Sequence, residues 1–285
     1  MTVSELYNST KAALIPALGQ SEAQSAARII FEDVRGLTPT DIVLYGHRSV
    51  EDFTQKRVKE ITDRIVAGMP VQYAVGTARF CGLDFKVTPD VLIPRPETEQ
   101  IVDMISDAYS GKCDLRVIDC GTGSGCIAIA LARALCFADI DAIDISDGAL
   151  SIARENATDL KARINFMKKD ILGLKPEPEP VYDIIVSNPP YITVSEEADM
   201  DRRVIDYEPH QALFVSDSDP LVFYRAIAAY GQSALKGGGR LYFEINPMFA
   251  ARLRSTLADM KYTDIDIIRD YLGLNRFAVA TLSRR

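Results

Sequence analysis

Asn188-Pro189-Pro190-Tyr191 closes an apolar run, Asp183 to Val186, that reads as a strand buried on both faces. Neither proline can donate to a sheet ladder, and each holds the preceding residue extended, so the backbone of Asn188 and Pro189 stays open beyond the strand. The Asn188 side-chain oxygen and the Pro189 carbonyl can each accept one N–H, which holds an NH₂ group with its lone pair toward an electrophile. Tyr191 can stack on the planar group behind that nitrogen, and Pro190 stiffens the turn between them. A nitrogen that becomes cationic as it is alkylated is stabilised by carbonyl dipoles more in the transition state than in the ground state, so no strong general base is needed.

An electrophile needs its own binder. Gly121-Thr122-Gly123-Ser124-Gly125 follows the apolar stretch "LRVIDC" and precedes "IAIALARAL", a strand, a tight turn and a helix in sequence. A dinucleotide fingerprint would carry a third glycine at position 126, where this chain has Cys126. The G-x-G-x-G pattern fits a nucleoside ligand without phosphates at that spot, as in S-adenosylmethionine, whose product after methyl transfer is S-adenosylhomocysteine. A glycine turn alone would serve equally as a structural bend. Asp144 tells the two apart, because it ends the next apolar stretch, "IDAID", at a spacing of about 20 residues that suits an acceptor for both ribose hydroxyls. Helix capping falls more naturally to Ser146 or Asp147. Asp170 and Ile171 follow a third strand, where an acceptor can take an exocyclic adenine amine while an apolar neighbour packs on the ring.

The elements that must position these residues alternate from Leu115 onward, strand then helix, and end with "IDIIRD" and "FAVATL" as a pair that can run antiparallel. Such alternation predicts an α/β fold with a doubly wound, mostly parallel sheet, and ligands beyond the carboxyl ends of its strands. Residues 1–68 read instead as a small helical domain, with helices around Leu6 to Leu18 and Glu22 to Val34 and "RGLTPTD" as a turn. Ser49 and Asp52 suggest a capping box for a further helix that Gly68 and Pro70 end. Residues 69–98 hold a β-hairpin, "VQYAVGTARFCGLDFKV", and a proline-rich linker to a helix near Thr98; residues 99–285 form the catalytic domain.

Composition limits the partners. The net charge is −8, and residues 1–70 carry 8 Lys/Arg against 9 Asp/Glu, so nearly all the acidity lies beyond them. A protein partner suits this balance better than nucleic acid, whose phosphates demand many cations, and no direct nucleic-acid contact is expected. Five cysteines without C-x-x-C spacing point to reduced core residues rather than disulfides or zinc, and two distant histidines leave little material for a metal site or a serine-type triad. The opening residues lack a long apolar run, so a cytoplasmic, membrane-free monomer is expected.

"QYAVG" with "FCGLDFKV", "VLIPRPETE", "GTGSGCIAIALA", "DISDGALSIARENA", "SNPPYI" and "YEPHQALF" together resemble the release-factor glutamine methyltransferase family, in order and approximate spacing over nearly the whole chain. The resemblance implies the S-adenosylmethionine-dependent methyltransferase fold and transfer to the glutamine of a Gly-Gly-Gln loop in peptide chain release factors. It further implies a glutamine clamp at Asn188 to Tyr191, cofactor contacts at the glycine turn, Asp144, Asp170, Ile171 and Asn188, and a helical module that engages the protein substrate. The chain departs from the family at "SDSDP", Ser216 to Pro220, at "EIN", Glu244 to Asn246, where Glu-Ile-Gly is usual, and in having no tryptophan. Rival readings are a glutamine methyltransferase for a ribosomal protein and an adenine amino-methyltransferase. The latter would need a basic track for a nucleic-acid backbone, of which Lys168-Lys169 and Arg202-Arg203 are the only doublets near the motifs. A silent scaffold would not require Asn188 and Tyr191 together.

Overall fold

A computed structural model describes residues 1–283 and divides the chain into two units, one of residues 1–77 with 201–207, the other of residues 78–200 with 208 onward. The first unit begins where Thr2 and Glu5 cap each other, the Glu5 N–H donating to Thr2 Oγ1 and the Thr2 N–H to Glu5 Oε2. Helix α1 (Val3–Leu18) and α2 (Gln20–Arg35) meet at Gly19, and α2 stops at Gly36, whose φ of +61° a side chain would strain. The "RGLTPTD" stretch contributes more than a turn: Thr38 and Asp41 form a capping box that starts α3 (Pro39–Leu44). Helix α4 (Asp52–Val66) takes Glu51 as its N-cap, not Ser49. Ser49 is instead bridged to Thr2 while the neighbouring Val50 N–H donates to the Met1 carbonyl, so tertiary pairing removes it from the capping position. Helix α5 (Val71–Val75) follows, in a stretch whose sequence suggested the start of the hairpin. Leu14, Ala26, Ile30, Phe31, Ile61 and Ile65 close the core of this unit.

The second unit opens on the hairpin β1 (Thr77–Phe80) and β2 (Leu83–Lys86), then runs α6 (Glu99–Ala108), β3 (Arg116–Cys120), α7 (Cys126–Ala134), β4 (Asp139–Asp144), α8 (Asp147–Asp159), β5 (Ile164–Lys168) and β6 (Tyr182–Ser187). A short pairing of β7 (Ile192–Thr193) with β8 (Phe214–Val215) encloses α9 (Arg202–Tyr207), which belongs to the first unit, and α10 (His210–Leu213). Helix α11 (Val222–Ala234), β9 (Leu235–Glu244), α12 (Ala250–Asp259), β10 (Tyr262–Arg269) and β11 (Asn275–Leu282) complete it.

Seven strands form one sheet in the order β10-β11-β9-β6-β3-β4-β5, parallel from β9 to β5 and antiparallel at β11 and β10. Because successive strand residues point to opposite faces, Val117, Ile184 and Val186 pack under α6 and α7, whereas Ile118, Ile185 and Leu241 pack under α11 and α12. The chain leaves β3 toward β4 and β5, then returns to place β6 on the other side of β3. Their carboxyl ends therefore flank the crevice where strand order reverses.

The cysteine expectation is also overturned. Cys113 and Cys136 are not reduced core residues: both are exposed and joined in a disulfide, with Cα atoms 4.7 Å apart. Their separation of 23 positions defeats a reading based on local spacing, but a parallel bridge at the entrances to β3 and β4 sets them side by side. Cys120 and Cys126 are buried free thiols, and burial pushes the Cys126 thiol up to about 12.

Candidate active site

A cavity of about 280 Å³ opens at the reversal point, far more room than a few waters require. Gly121, Thr122, Gly123 and Ser124 line it from the end of β3, Asp144 from β4, Asp170 and Ile171 from beyond β5, and Asn188 and Pro190 from β6. Gly121 and Gly123 have φ of +78° and +54°, and a Cβ at Gly123 would meet no protein atom, so the bare backbone faces open space that a ligand can approach. Asp144 ties this turn to its own strand end: Oδ2 accepts the Gly123 N–H and Oδ1 the Ser146 N–H, both at 2.9 Å. Ser146 is the cap of α8, its hydroxyl accepting from the Ala149 N–H. Asp170 accepts from the Leu172 N–H, which shapes the turn that presents Ile171. Ile145 and Leu172, about half exposed, also line the cavity.

Three of the expected residues lie outside the lining. Gly125 sits behind the turn at φ +81°, where a Cβ would come within 3.1 Å of Ile129 and 3.2 Å of Ala153. Its place in the pattern thus allows α7 to pack close to α8. Pro189 is buried. Tyr191 turns toward β9, where its hydroxyl donates to Glu244 Oε1 at 3.1 Å, and burial with the Glu244 charge raises its pKa.

Sequence reading singled out no role for the residues behind these. Thr98, in "LIPRPETE", lines the cavity and donates to Glu244 Oε2 at 2.6 Å while accepting from Asn188 Nδ2 at 3.4 Å. Glu244 is 2% exposed, and burial raises its carboxyl pKa against the opposing pull of Thr98, Tyr191 and Arg276. Arg95 donates to Glu208 Oε1 at 2.6 Å and the Ile93 N–H donates to Oε2, so a buried glutamate fastens the proline-rich linker to "YEPHQALF". An acidic residue ending an apolar strand, as in "LYFE", was the available signal for Glu244. Asn246, one of the departures, donates to the Tyr191 carbonyl and to Glu196 and caps the following turn through Met248. It steadies the clamp loop through contacts that a glycine could not make.

The bare glycine backbone, a carboxylate placed for a diol and an apolar wall for a flat ring make the cavity fit S-adenosylmethionine. Fold and site together define an S-adenosylmethionine-dependent methyltransferase. The Methyltransferase small domain family matches residues 98–210, and the PrmC N-terminal domain family matches residues 5–76. A methyltransferase structure from Pyrococcus furiosus superposes with a TM-score of 0.51 at 16% identity, covering 78% of this chain and 97% of that one, which bears on the fold alone. A release factor glutamine methyltransferase of Bacteroides thetaiotaomicron is 41% identical over 259 residues, 91% of this chain and 92% of that protein. One from Streptococcus pneumoniae is 36% identical over 284 residues, 98% of each. The chain belongs to the release factor glutamine methyltransferase family.

Proposed function

We propose that this protein methylates the side-chain amide nitrogen of the glutamine in the Gly-Gly-Gln motif of peptide chain release factors. The observation that carries the reading is Asn188, a carboxamide on the wall of the same cavity as the glycine turn and Asp144, with its NH₂ engaged by Thr98. Relatives of 36–41% identity named release factor glutamine methyltransferase support the glutamine and the release factor in this reading.

When bound, S-adenosylmethionine supplies an electrophilic sulfonium methyl group. The turn from Gly121 to Ser124 leaves room for its amino-acid end, with Gly125 shaping the turn from behind. Asp144 accepts the ribose hydroxyls, and Asp170 and Ile171 receive the adenine by its amine and its face. Asn188 Oδ1 and the Pro189 carbonyl each accept one N–H of the substrate amide, which aims the nitrogen lone pair at the methyl group. As the N–C bond forms at the expense of the methyl–sulfur bond, which leaves a neutral thioether, the nitrogen becomes cationic beside two carbonyl dipoles, and the surplus proton then passes to water. Pro190 and Tyr191 fix the backbone that carries the second acceptor. The helical residues 1–68 recognise the body of the partner protein. The test is incubation with methyl-labelled S-adenosylmethionine, a release factor, a ribosomal protein mixture and nucleic acid, followed by peptide and nucleoside mass spectrometry. Label on the Gly-Gly-Gln glutamine is expected; label confined to a ribosomal protein or to adenine would replace this reading.

A further inference from the structure

A carboxamide is useful as a clamp only in one of its two orientations. Turned by 180°, Asn188 would face an incoming NH₂ group with its own N–H bonds, and donor would meet donor. What selects the orientation lies behind the clamp. The Thr98 hydroxyl has one hydrogen, and it is committed to Glu244 Oε2 at 2.6 Å. Toward Asn188 the hydroxyl can therefore only accept, and Asn188 offers it Nδ2 at 3.4 Å. The flipped amide would set two acceptors against each other.

The same carboxylate takes the Tyr191 hydroxyl on Oε1, and the Tyr224 hydroxyl holds its backbone carbonyl at 3.0 Å. Phe277 of β11 pairs with Glu244 across the sheet, which keeps the carboxylate at a fixed height on a central strand. Glu244 is thus the rigid end of a chain of hydrogen bonds that runs outward through Thr98 and ends at Oδ1 of Asn188.

We propose that Thr98 and Glu244 are positioning residues for methyl transfer, a proton-ordered relay that keeps the Asn188 oxygen toward the substrate amine. This rests on the clamp role given to Asn188 above. Thr98 and Glu244 act through the orientation of Asn188, whereas Asp144, Asp170 and Ile171 are the residues assigned to hold the cofactor, so the relay acts on turnover more than on cofactor affinity. Thr98→Val keeps the shape and deletes the acceptor, and Thr98→Ser restores it. Glu244→Gln reverses the order, because the new NH₂ donates to Thr98 and frees the hydroxyl proton to point at Asn188.

The experiment measures kcat and the KM for S-adenosylmethionine of these variants on the release factor, with thermal unfolding as the check on folding. Thr98→Val should lower kcat about tenfold, the scale of one neutral hydrogen bond, and Glu244→Gln by at least as much. The KM for S-adenosylmethionine should move much less than kcat, and Thr98→Ser should recover most of the rate. In an Asn188→Ala background, Thr98→Val should cost nothing further. Normal kcat in Thr98→Val, or a full additional loss on top of Asn188→Ala, would overturn the relay. If the wild-type protein methylates a different amine, the proposed substrate falls, and the same variants assayed on that amine decide the relay separately.

Discussion

Replacing Asp119 by asparagine should change how the stability of the protein responds to pH. Asp119 sits in β3 one turn behind the cavity, fully buried, and accepts the Thr122 hydroxyl at 2.7 Å. Burial dominates that hydrogen bond and, with the Asp144 charge, pushes its carboxyl from an ordinary 3.8 up to about 7. The folded protein therefore holds a proton that the unfolded chain releases, and stability falls as pH rises through the window between those two values. The full gap corresponds to about 4 kcal/mol at ~1.36 kcal/mol per unit, and about 2 kcal/mol of it is lost between roughly pH 5.5 and pH 8. Asparagine does not titrate, and its Oδ1 can still accept from Thr122. Urea unfolding of both proteins at these two pH values cancels every other titrating group. The wild type should lose about 2 kcal/mol more than Asp119→Asn on going to the higher pH. Parallel pH profiles would show that Asp119 is charged in the folded state throughout, and the assignment of its environment would be wrong.

Asn188→Ala should lower the methyl-transfer rate by about 10² or more, the scale for losing a preorganised polar contact in a site that excludes water; a purified variant with near-normal turnover removes Asn188 from the mechanism. Asp144→Ala should weaken S-adenosylmethionine by roughly 1 to 3 kcal/mol, the range for hydrogen bonds to a charged group, and unchanged affinity in titration calorimetry would refute the ribose assignment. Cys113→Ser should cost about 3 kcal/mol of stability without reductant, from the chain entropy of a loop this long, and nothing with reductant present. Equal unfolding midpoints under both conditions would mean that the bridge does not form in solution.

The alternation of apolar runs from Leu115 onward sufficed to place every strand of the large sheet, because strands buried on both faces and separated by helical stretches leave few arrangements. The glycine turn, Asp144, Asp170 and Asn188 were legible for the same reason: each ends a strand, and strand ends converge where the order reverses. Thr98 and Glu244 were not, since 146 residues separate two side chains that meet at 2.6 Å, and neither has a partner nearby in sequence. Tyr191 was assigned a stacking role from its type, but its hydroxyl found a buried carboxylate, the stronger claim on a phenol. Ser49 failed as a cap because the pairing of its strand-like neighbours with the first residues of the chain competes for the same backbone. The disulfide lay hidden behind a register that only the assembled sheet defines.

Helix α9 has a bearing on any attempt to dissect this enzyme. It comes after the clamp in the chain, yet Arg203 pairs with Glu22 and the Tyr207 hydroxyl donates to the Ala67 carbonyl, so the helix is fastened to N-terminal residues. A catalytic fragment made by cutting after residue 77 would keep this segment and discard Glu22 and Ala67, which hold it. The thread leaving Tyr191 would then hang slack, and a drop in turnover could be misread as lost partner recognition. Surgery on this molecule is better done by single side chains than by scissors.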